Sequence, residues 1–255
     1  ADSMSQTNIR TTIAFNSIFG NGVVGSYLEH NCYVQGISPL IFGNYIGELR
    51  AGAFGSSYKS RASGETICNN FFESSARAID MVHAEESYST VSAQPNYAFS
   101  YCFGNIISNT TSTGAYTLSP VHFGGDNAGE DTDTPLQVVG YNATPLRYRE
   151  HLFFWDNTYI SDGGPGKSNF FDLSLIGGNK YYDGYTASRT RVSAWNNVFQ
   201  TSGDYQGWVE NVGEVYLTSS NYTIGTIADY LSYIPRTNQV NIVKTGVISG
   251  TSAGF

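Results

Sequence analysis

A short pattern ending in asparagine recurs six times along the chain. A strand-like apolar segment precedes each asparagine and apolar residues follow it, as in TIAFNSIF (12–19), PLIFGNYI (39–46), ETICNNFF (65–72), SYCFGNII (100–107), FFWDNTYI (153–160) and SAWNNVFQ (193–200). The separations are 28, 26, 35, 52 and 40 residues between Asn16, Asn44, Asn70, Asn105, Asn157 and Asn197. A constant motif at irregular spacing is typical of a solenoid whose coils carry loop insertions, whereas propellers and helical repeats keep a tighter period.

The asparagine itself suggests how the coils stack. Asparagine tolerates left-handed backbone dihedrals at a tight corner, and its amide can bond to the amide on the next coil. We therefore expect a ladder of corner asparagines. We also expect an interior column formed by the residues two positions earlier, Ala14, Phe42, Cys68, Phe103, Trp155 and Trp195.

Composition agrees with an all-β chain. The 255 residues include 28 Gly, 19 Tyr and 15 Phe, and only 13% are charged. Such a composition is poor in the residues that surface helices use. The predicted fold is a single-stranded right-handed parallel β-helix that forms one domain over residues 5–255. Coils are expected at about 10–216 and a terminal cap at about 217–255, with a short amphipathic turn of helix at 226–234.

A second strand is expected about 10 to 17 residues after each asparagine. Alternation along these strands predicts the inward residues Tyr58, Ile79, Met81, Val121, Phe123, Phe171, Leu173, Val209 and Val212. It also predicts a solvent-facing row made of Lys59, Asp80, His122, Asp172 and Glu210. This row is the candidate functional wall of the solenoid.

Charge and targeting signals restrict the partners. The net charge of -8 disfavours nucleic acids and anionic membranes, and a polyanionic glycan would need locally gathered positive charge. Neither an apolar run of membrane-spanning length nor a signal-peptide pattern is present, so we expect an extracellular protein, either secreted and processed or carried on a virion. Cys32, Cys68 and Cys102 have no metal spacing and predict no disulfide framework.

From residue 10 to 216 the coil pattern resembles that of the pectin-lyase-like superfamily of right-handed β-helices. Locally, YKSRASGETICNNFF (58–72) followed by AIDMVHAEE (78–86) resembles the lysine–serine segment, asparagine turn and next-coil strand of alginate and chondroitin lyases. In those enzymes the lysine is the general base and an arginine on the following coil is the acid. Lys59 matches the lysine, but the matching strand carries Asp80 and His83 in place of the arginine.

The resemblance implies β-elimination from a uronic acid, in which a base removes the proton beside the carboxylate while cations neutralise the developing enolate. Lys59 would be the base, with Arg61 and Arg77 lowering its pKa and supplying positive charge. His122 is an acid–base candidate on the outward row, and His83 is a partly buried one. The alternative is that Lys59 and Arg61 form ordinary ion pairs with Asp80 and Glu85.

Three further possibilities remain open. A glycoside hydrolase would use Asp80 and Asp172, two coils or about 10 Å apart. A non-catalytic adhesin or tail-fibre segment would only bind glycan. For an enzyme or a binding protein alike, the substrate-binding candidates are Arg77, Asp172, Glu210, Tyr88 and Tyr182. The richness in Ser, Asn, Gly and Tyr resembles phage tailspikes, which are trimers; the oligomeric state is left open. A loop at 124–135 offers the calcium candidates Asp126, Glu130, Asp131 and Asp133.

Overall fold

The computed structural model describes residues 8–73, 77–82, 84, 88–109, 119–124, 149–161, 168–173, 190–201, 206–211, 213–225, 227–230 and 240–250. Its strands are β1 (Thr12–Ala14), β2 (Ser17–Ile18), β3 (Cys32–Val34), β4 (Leu40–Phe42), β5 (Tyr45–Ile46), β6 (Ser56–Ser60), β7 (Thr66–Cys68), β8 (Phe71–Glu73), β9 (Arg77–Val82), β10 (Phe99–Phe103), β11 (Ile106–Asn109), β12 (Val121–Gly124), β13 (His151–Trp155), β14 (Thr158–Ser161), β15 (Ser168–Leu173), β16 (Arg191–Trp195), β17 (Val198–Thr201), β18 (Gln206–Asn211), β19 (Gly213–Leu217), β20 (Asn221–Ile224), β21 (Ile227–Tyr230), β22 (Val240–Lys244) and β23 (Val247–Gly250). A short helix, α1 (Tyr88–Ser92), lies between β9 and β10.

Every third strand enters the same sheet, which makes three parallel sheets. Sheet A has the order β1-β4-β7-β10-β13-β16-β19-β22, and sheet B the order β2-β5-β8-β11-β14-β17-β20-β23. Sheet C runs β3-β6-β9-β12-β15-β18-β21. Each coil thus contributes one strand to each sheet and pairs in parallel with the coils before and after it. The predicted fold class, a parallel β-helix, is confirmed.

The predicted asparagine ladder is present at the corner between sheets A and B. The backbone N–H and the side-chain Nδ2 of Asn16 both donate to Oδ1 of Asn44, at 3.0 and 3.1 Å. The same pair of bonds repeats from one corner to the next along Asn44, Asn70, Asn105, Asn157, Asn197 and Asn221. Asn221 is a seventh rung that the sequence motif did not reveal.

The backbone role expected of the ladder asparagines is wrong. The left-handed residue is the one before each asparagine, with φ between 53° and 65° at Phe15, Gly43, Asn69, Gly104, Asp156, Asn196 and Ser220. The preceding residue therefore turns the chain, and the ladder asparagine can direct both its N–H and its amide along the solenoid axis. Asparagine is selected at the rung for hydrogen bonding rather than for its dihedral freedom.

The expected interior column is also wrong, because it lies on the outer face of sheet A. The core instead contains the residues of opposite parity, including Ile41, Ile67, Cys102, Phe154 and Ala194. On the outer face, Trp155 stacks on Phe103 with ring centroids 4.4 Å apart and on Trp195 at 5.1 Å. In-register aromatic rings cover each other's faces in this way without entering the core.

Sheet C confirms its predicted inward residues where their side chains are described. Tyr58, Ile79, Met81, Val121, Phe123, Phe171 and Leu173 are all fully buried in the core. The side chain of Val209 and the whole of Val212 lie outside the described residues.

The three sheets continue beyond residue 216 with β20, β21, β22 and β23. Residues 227–230, where a turn of helix was expected, form strand β21, which pairs in parallel with β18. The apolar spacing of this segment resembles that of a helix, but pairing with the strand of the preceding coil makes it a strand. The described residues include no helix with the length and hydrophobicity of a membrane-spanning segment.

Candidate functional site

The ionisable residues predicted to share one face of sheet C stand opposite one another in register. Lys59 on β6 pairs with Asp80 on β9, which pairs with His122 on β12. His122 pairs in turn with Asp172 on β15, and Glu210 on β18 comes next. The predicted alignment of the row is therefore confirmed, while the chemical roles of its members stay predictions. We call Lys59, Arg77, Asp80, His122 and Asp172 the wall cluster.

The expectation that this row faces solvent is wrong. His122 is 0% exposed and Asp80 2% exposed, and Lys59 and Asp172 are also buried; the side chain of Glu210 lies outside the described residues. One reason is their spacing: side chains stacked on strands about 4.8 Å apart contact and cover one another. Arg77 has the most accessible side chain of the cluster, at 14%.

Asp80 is the centre of the wall cluster. Its Oδ1 lies 2.6 Å from Nδ1 of His122, and its Oδ2 accepts a hydrogen bond of 2.8 Å from Ser56 Oγ. Lys59 Nζ is 3.5 Å from Oδ2, and Arg77 Nη1 is 3.6 Å from Oδ1. Burial by itself would raise the pKa of Asp80, but Arg77, Lys59 and His122 together hold it well below its usual value. Asp80 is therefore a carboxylate.

The ionised state of Asp80 fixes the proton on His122. Nδ1 of His122 lies 2.6 Å from Asp80 Oδ1 and 3.0 Å from Arg77 Nη1, and it cannot both donate and accept. Because Asp80 is ionised, we assign the proton to Nδ1, which donates it to the carboxylate. In neutral His122 the basic nitrogen is then Nε2, which lies 3.9 Å from Asp172 Oδ2.

Arg77 crosses the row from the first position of β9. Its Nη2 donates to Asp172 Oδ2 at 2.9 Å, and its Nη1 approaches Asp80. These contacts direct Arg77 to the two aspartates, because opposite charges attract across adjacent coils. Its buried Nε has no hydrogen-bond acceptor among the described residues.

Lys59 and Arg61 differ in their surroundings. The ion pair of Lys59 with Asp80 agrees with the simpler interpretation of Lys59 as a paired charge. Arg61 lies one position beyond β6 and is buried, and its backbone N–H donates to Val34 at 2.9 Å. Glu85, the other expected partner, lies outside the described residues.

Several candidates cannot be placed at the site. His83, Tyr182 and the calcium candidates Asp126, Glu130, Asp131 and Asp133 lie outside the described residues. For Tyr88 at the start of α1, and for Glu210 on β18, only the backbone is described. Within the described ranges, no group of three or more His, Cys, Asp or Glu residues could hold a metal ion.

Sequence reasoning missed a buried ion pair beneath the wall. Arg149 Nη1 lies 2.6 Å from Glu65 Oε1 and 2.7 Å from Ser100 Oγ. Arg149 also donates to the backbone carbonyls of Val82 and Ala62, and Tyr58 OH donates to the other carboxylate oxygen of Glu65 at 3.1 Å. The partners are 84 residues apart, so no local pattern could pair them. Tyr58 precedes Lys59 directly and connects this network to the strand of the wall cluster.

Ser56 is a second missed contributor. It stands in register with Arg77 and donates to Asp80 from the first position of β6. Alternation groups Ser56 with the inward Tyr58 and its acceptor is 24 residues away, so the sequence pattern gave no signal for this bond.

Comparisons with protein-family models, curated proteins and solved structures found no match for this chain. The fold and the wall cluster therefore carry the functional argument without support from relatives.

Proposed function

We propose that this chain is an extracellular or virion-borne polysaccharide lyase that cleaves a uronic-acid-containing glycan by β-elimination at the wall cluster. The observation that carries the proposal is the contact of 2.6 Å between Asp80 and His122 Nδ1, beside the cations Lys59 and Arg77. A carboxylate that accepts a hydrogen bond from one ring nitrogen of a histidine orients the other ring nitrogen to accept a proton. The resemblance to pectin-lyase-like lyases agrees with this reaction but is limited to the sequence patterns given above.

In the proposed reaction His122 Nε2 removes the proton on the carbon next to the uronate carboxylate. Arg77 and Lys59 neutralise the negative charge that then develops on that carboxylate. The electrons form the carbon–carbon double bond, and the glycosidic oxygen leaves with a proton from Lys59. Lys59 is assigned to the acid side because its ammonium group is paired with Asp80, which reverses its role from base in the sequence-based hypothesis.

To reach His122, a substrate would have to displace Asp172. Asp172 already binds Arg77 Nη2 at 2.9 Å, and His122 is fully buried. A uronate carboxylate is chemically equivalent to the Asp172 side chain, so we expect it to displace Asp172 from Arg77 and to use the unbonded Arg77 Nε as well. Movement of Asp172 would uncover His122 Nε2.

The hydrolase alternative is weaker. A glycoside hydrolase needs one carboxyl group that is protonated near neutral pH and acts as an acid. The pKa of Asp80 is held well below its usual value, so Asp80 cannot supply that proton. The acid role would then fall to Asp172 or to Glu210, which stands opposite Asp172 on β18.

One observation favours a second candidate, a non-catalytic glycan-binding or structural β-helix. The charges of the wall cluster are paired with one another and buried, which is the arrangement of a stabilising network. Such a protein would retain glycan on an array without shortening it.

The test is digestion of a panel of uronate polymers, followed by the ultraviolet absorbance of the unsaturated product and by polymer length. We expect cleavage of at least one polymer, and loss of cleavage in His122→Ala. The matched control is His151→Ala, which removes a histidine from the outer face of sheet A. Glycan retention without shortening would favour the binding candidate, and equal cleavage by wild type and His122→Ala would exclude this site.

A further inference from the structure

Asp172 stands between two groups that can each bind the same carboxylate oxygen. Its Oδ2 accepts a hydrogen bond of 2.9 Å from Arg77 Nη2 and lies 3.9 Å from Nε2 of His122. Asp172 and His122 stand opposite each other on neighbouring coils, so their side chains leave sheet C side by side. A movement of about 1 Å would bring this oxygen within hydrogen-bonding distance of Nε2.

Arg77 is the present partner of Asp172 because of the proton on His122. When Nδ1 of neutral His122 donates its proton to Asp80, Nε2 carries none. An unprotonated nitrogen offers a carboxylate no hydrogen bond, whereas the neighbouring guanidinium does. The contact with Arg77 therefore belongs to neutral His122, and a proton on Nε2 would give Asp172 a second partner.

The charges of the wall cluster are balanced while His122 is neutral. The cations of the cluster are Lys59 and Arg77. They contact the carboxylates of Asp80 and Asp172. A uronate brings a further carboxylate, which can take the place of Asp172 on Arg77 only if Asp172 leaves. The released Asp172 then lacks a cation, and transfer of the substrate proton to His122 creates one beside it.

We propose that Asp172 exchanges partners during the reaction: it leaves Arg77 when a uronate carboxylate binds there, and accepts a hydrogen bond from His122 Nε2 after His122 has taken the substrate proton. This inference rests on the proposed lyase function. The proton stays on Nε2, and Asp172 takes no proton itself. Asp172 thus competes with the substrate for Arg77, which weakens binding, and then stabilises the histidinium ion, which speeds proton transfer.

These two effects predict an unusual combination of changes in Asp172→Asn, which keeps the shape of the side chain but removes its charge. Uronate binding should become about tenfold tighter, because the ligand no longer has to break a charged hydrogen bond. The value of kcat should fall about tenfold, because a neutral amide stabilises the histidinium ion less well than a carboxylate does. A residue that only maintains the fold would not give tighter binding together with slower turnover.

The test measures binding and turnover separately. Isothermal titration calorimetry with hexamers of galacturonate, mannuronate and glucuronate compares His122→Ala with the double variant that also carries Asp172→Asn, so that no ligand is cleaved during the titration. Initial rates on the corresponding polymers give kcat for the wild type and for Asp172→Asn. The matched control is Glu214→Gln, which removes the carboxylate paired with Arg191 at 3.5 Å in sheet A and should change neither quantity. Circular dichroism confirms that each variant is folded.

Asp172→Ala supplies a measurement that does not depend on cleavage. The substitution removes the carboxylate beside Arg77 and leaves space for formate, which has the same charged group. Formate should raise the melting temperature of Asp172→Ala by binding to the folded chain. The wild type, in which Asp172 occupies the contact with Arg77, should respond to formate no more than to chloride at equal ionic strength.

Tighter uronate binding with slower turnover in Asp172→Asn would support the exchange of partners. Unchanged or weaker binding, or unchanged turnover, would overturn it even if the wild type is an active lyase. An equal response to formate in Asp172→Ala and the wild type would overturn the carboxylate site at Arg77. If the wild type cleaves no polymer, the proposed function and the step at His122 fail together, and tighter uronate binding would then support only the competition for Arg77.

Discussion

His122 Nδ1 lies 2.6 Å from Asp80 Oδ1, and the two residues stand directly opposite each other on neighbouring coils. The contact joins residues 42 positions apart and depends on the register in which β9 and β12 pair.

Asp80→Asn should destabilise the fold at neutral pH by about 3–5 kcal/mol, because it leaves the buried Lys59 without its carboxylate and Arg77 with Asp172 alone. The folded-state pKa of Asp80 lies below its unfolded value. Its contribution to stability is therefore present above about pH 4 and is lost as the pH falls through the folded pKa. Urea unfolding at neutral and acidic pH measures both effects. The control is Asp156→Asn at an exposed corner, and an equal loss in both variants would contradict the pairing of Asp80.

Asn105→Ala should lower the free energy of unfolding by about 2–4 kcal/mol, because the backbone N–H and Nδ2 of Asn70 lose their shared acceptor in a buried site. Asn16→Ala removes only the first, exposed rung and should lower the free energy of unfolding by less than about 1 kcal/mol. Urea denaturation of both variants compares an interior rung with the end rung. Similar losses would argue that the ladder does not stabilise the stack.

Arg149→Met should destabilise the chain by about 3–5 kcal/mol, because the buried Glu65 would lose its counter-ion. The matched control is Arg191→Met, which breaks a partly exposed pair with Glu214 at 3.5 Å and should cost less than about 1 kcal/mol. Replacing Glu65 together with Arg149 should recover part of the loss. A double variant as unstable as the sum of the single variants would show that the two residues do not interact.

His151 should titrate well below an ordinary histidine. Burial and, next, the positive charge of Arg191 lower its pKa to about 4. Since the folded pKa is depressed, the unfolded chain takes up the proton first, and stability should fall as the pH drops from about 6.5 towards 4. His151→Phe should remove this part of the pH dependence. Nuclear magnetic resonance of the ring protons gives the midpoint directly, and a midpoint near 6.5 would contradict the burial of the ring.

The asparagine motif was sufficient to predict the coils because few side chains can both donate to and accept from an identical neighbour. It could not decide which side of sheet A faces inward. Alternation sets Cys102 and Phe103 on opposite faces, but both faces are apolar, so alternation alone does not distinguish core from surface. The structure places Cys102 in the core and Phe103 in the outer aromatic stack.

The row of Lys59, Asp80, His122 and Asp172 was predictable because strand alternation sets polar residues against a strongly apolar inward face. Its burial was not predictable. The bond between Arg77 and Asp172 joins residues 95 positions apart, and their meeting depends on insertion lengths that the motif spacing does not encode. The same holds for Arg149 and Glu65.

The most direct test of the account is to count unsaturated sugar ends against glycosidic bonds broken, for the wild-type chain and for Asp80→Asn acting on a uronate polymer that the wild type accepts. We expect one unsaturated end for each bond broken by the wild type, and a rate at least about 100-fold lower for Asp80→Asn, because the acid–base pair with His122 is lost. Saturated ends, or full activity in the folded Asp80→Asn protein, would contradict it.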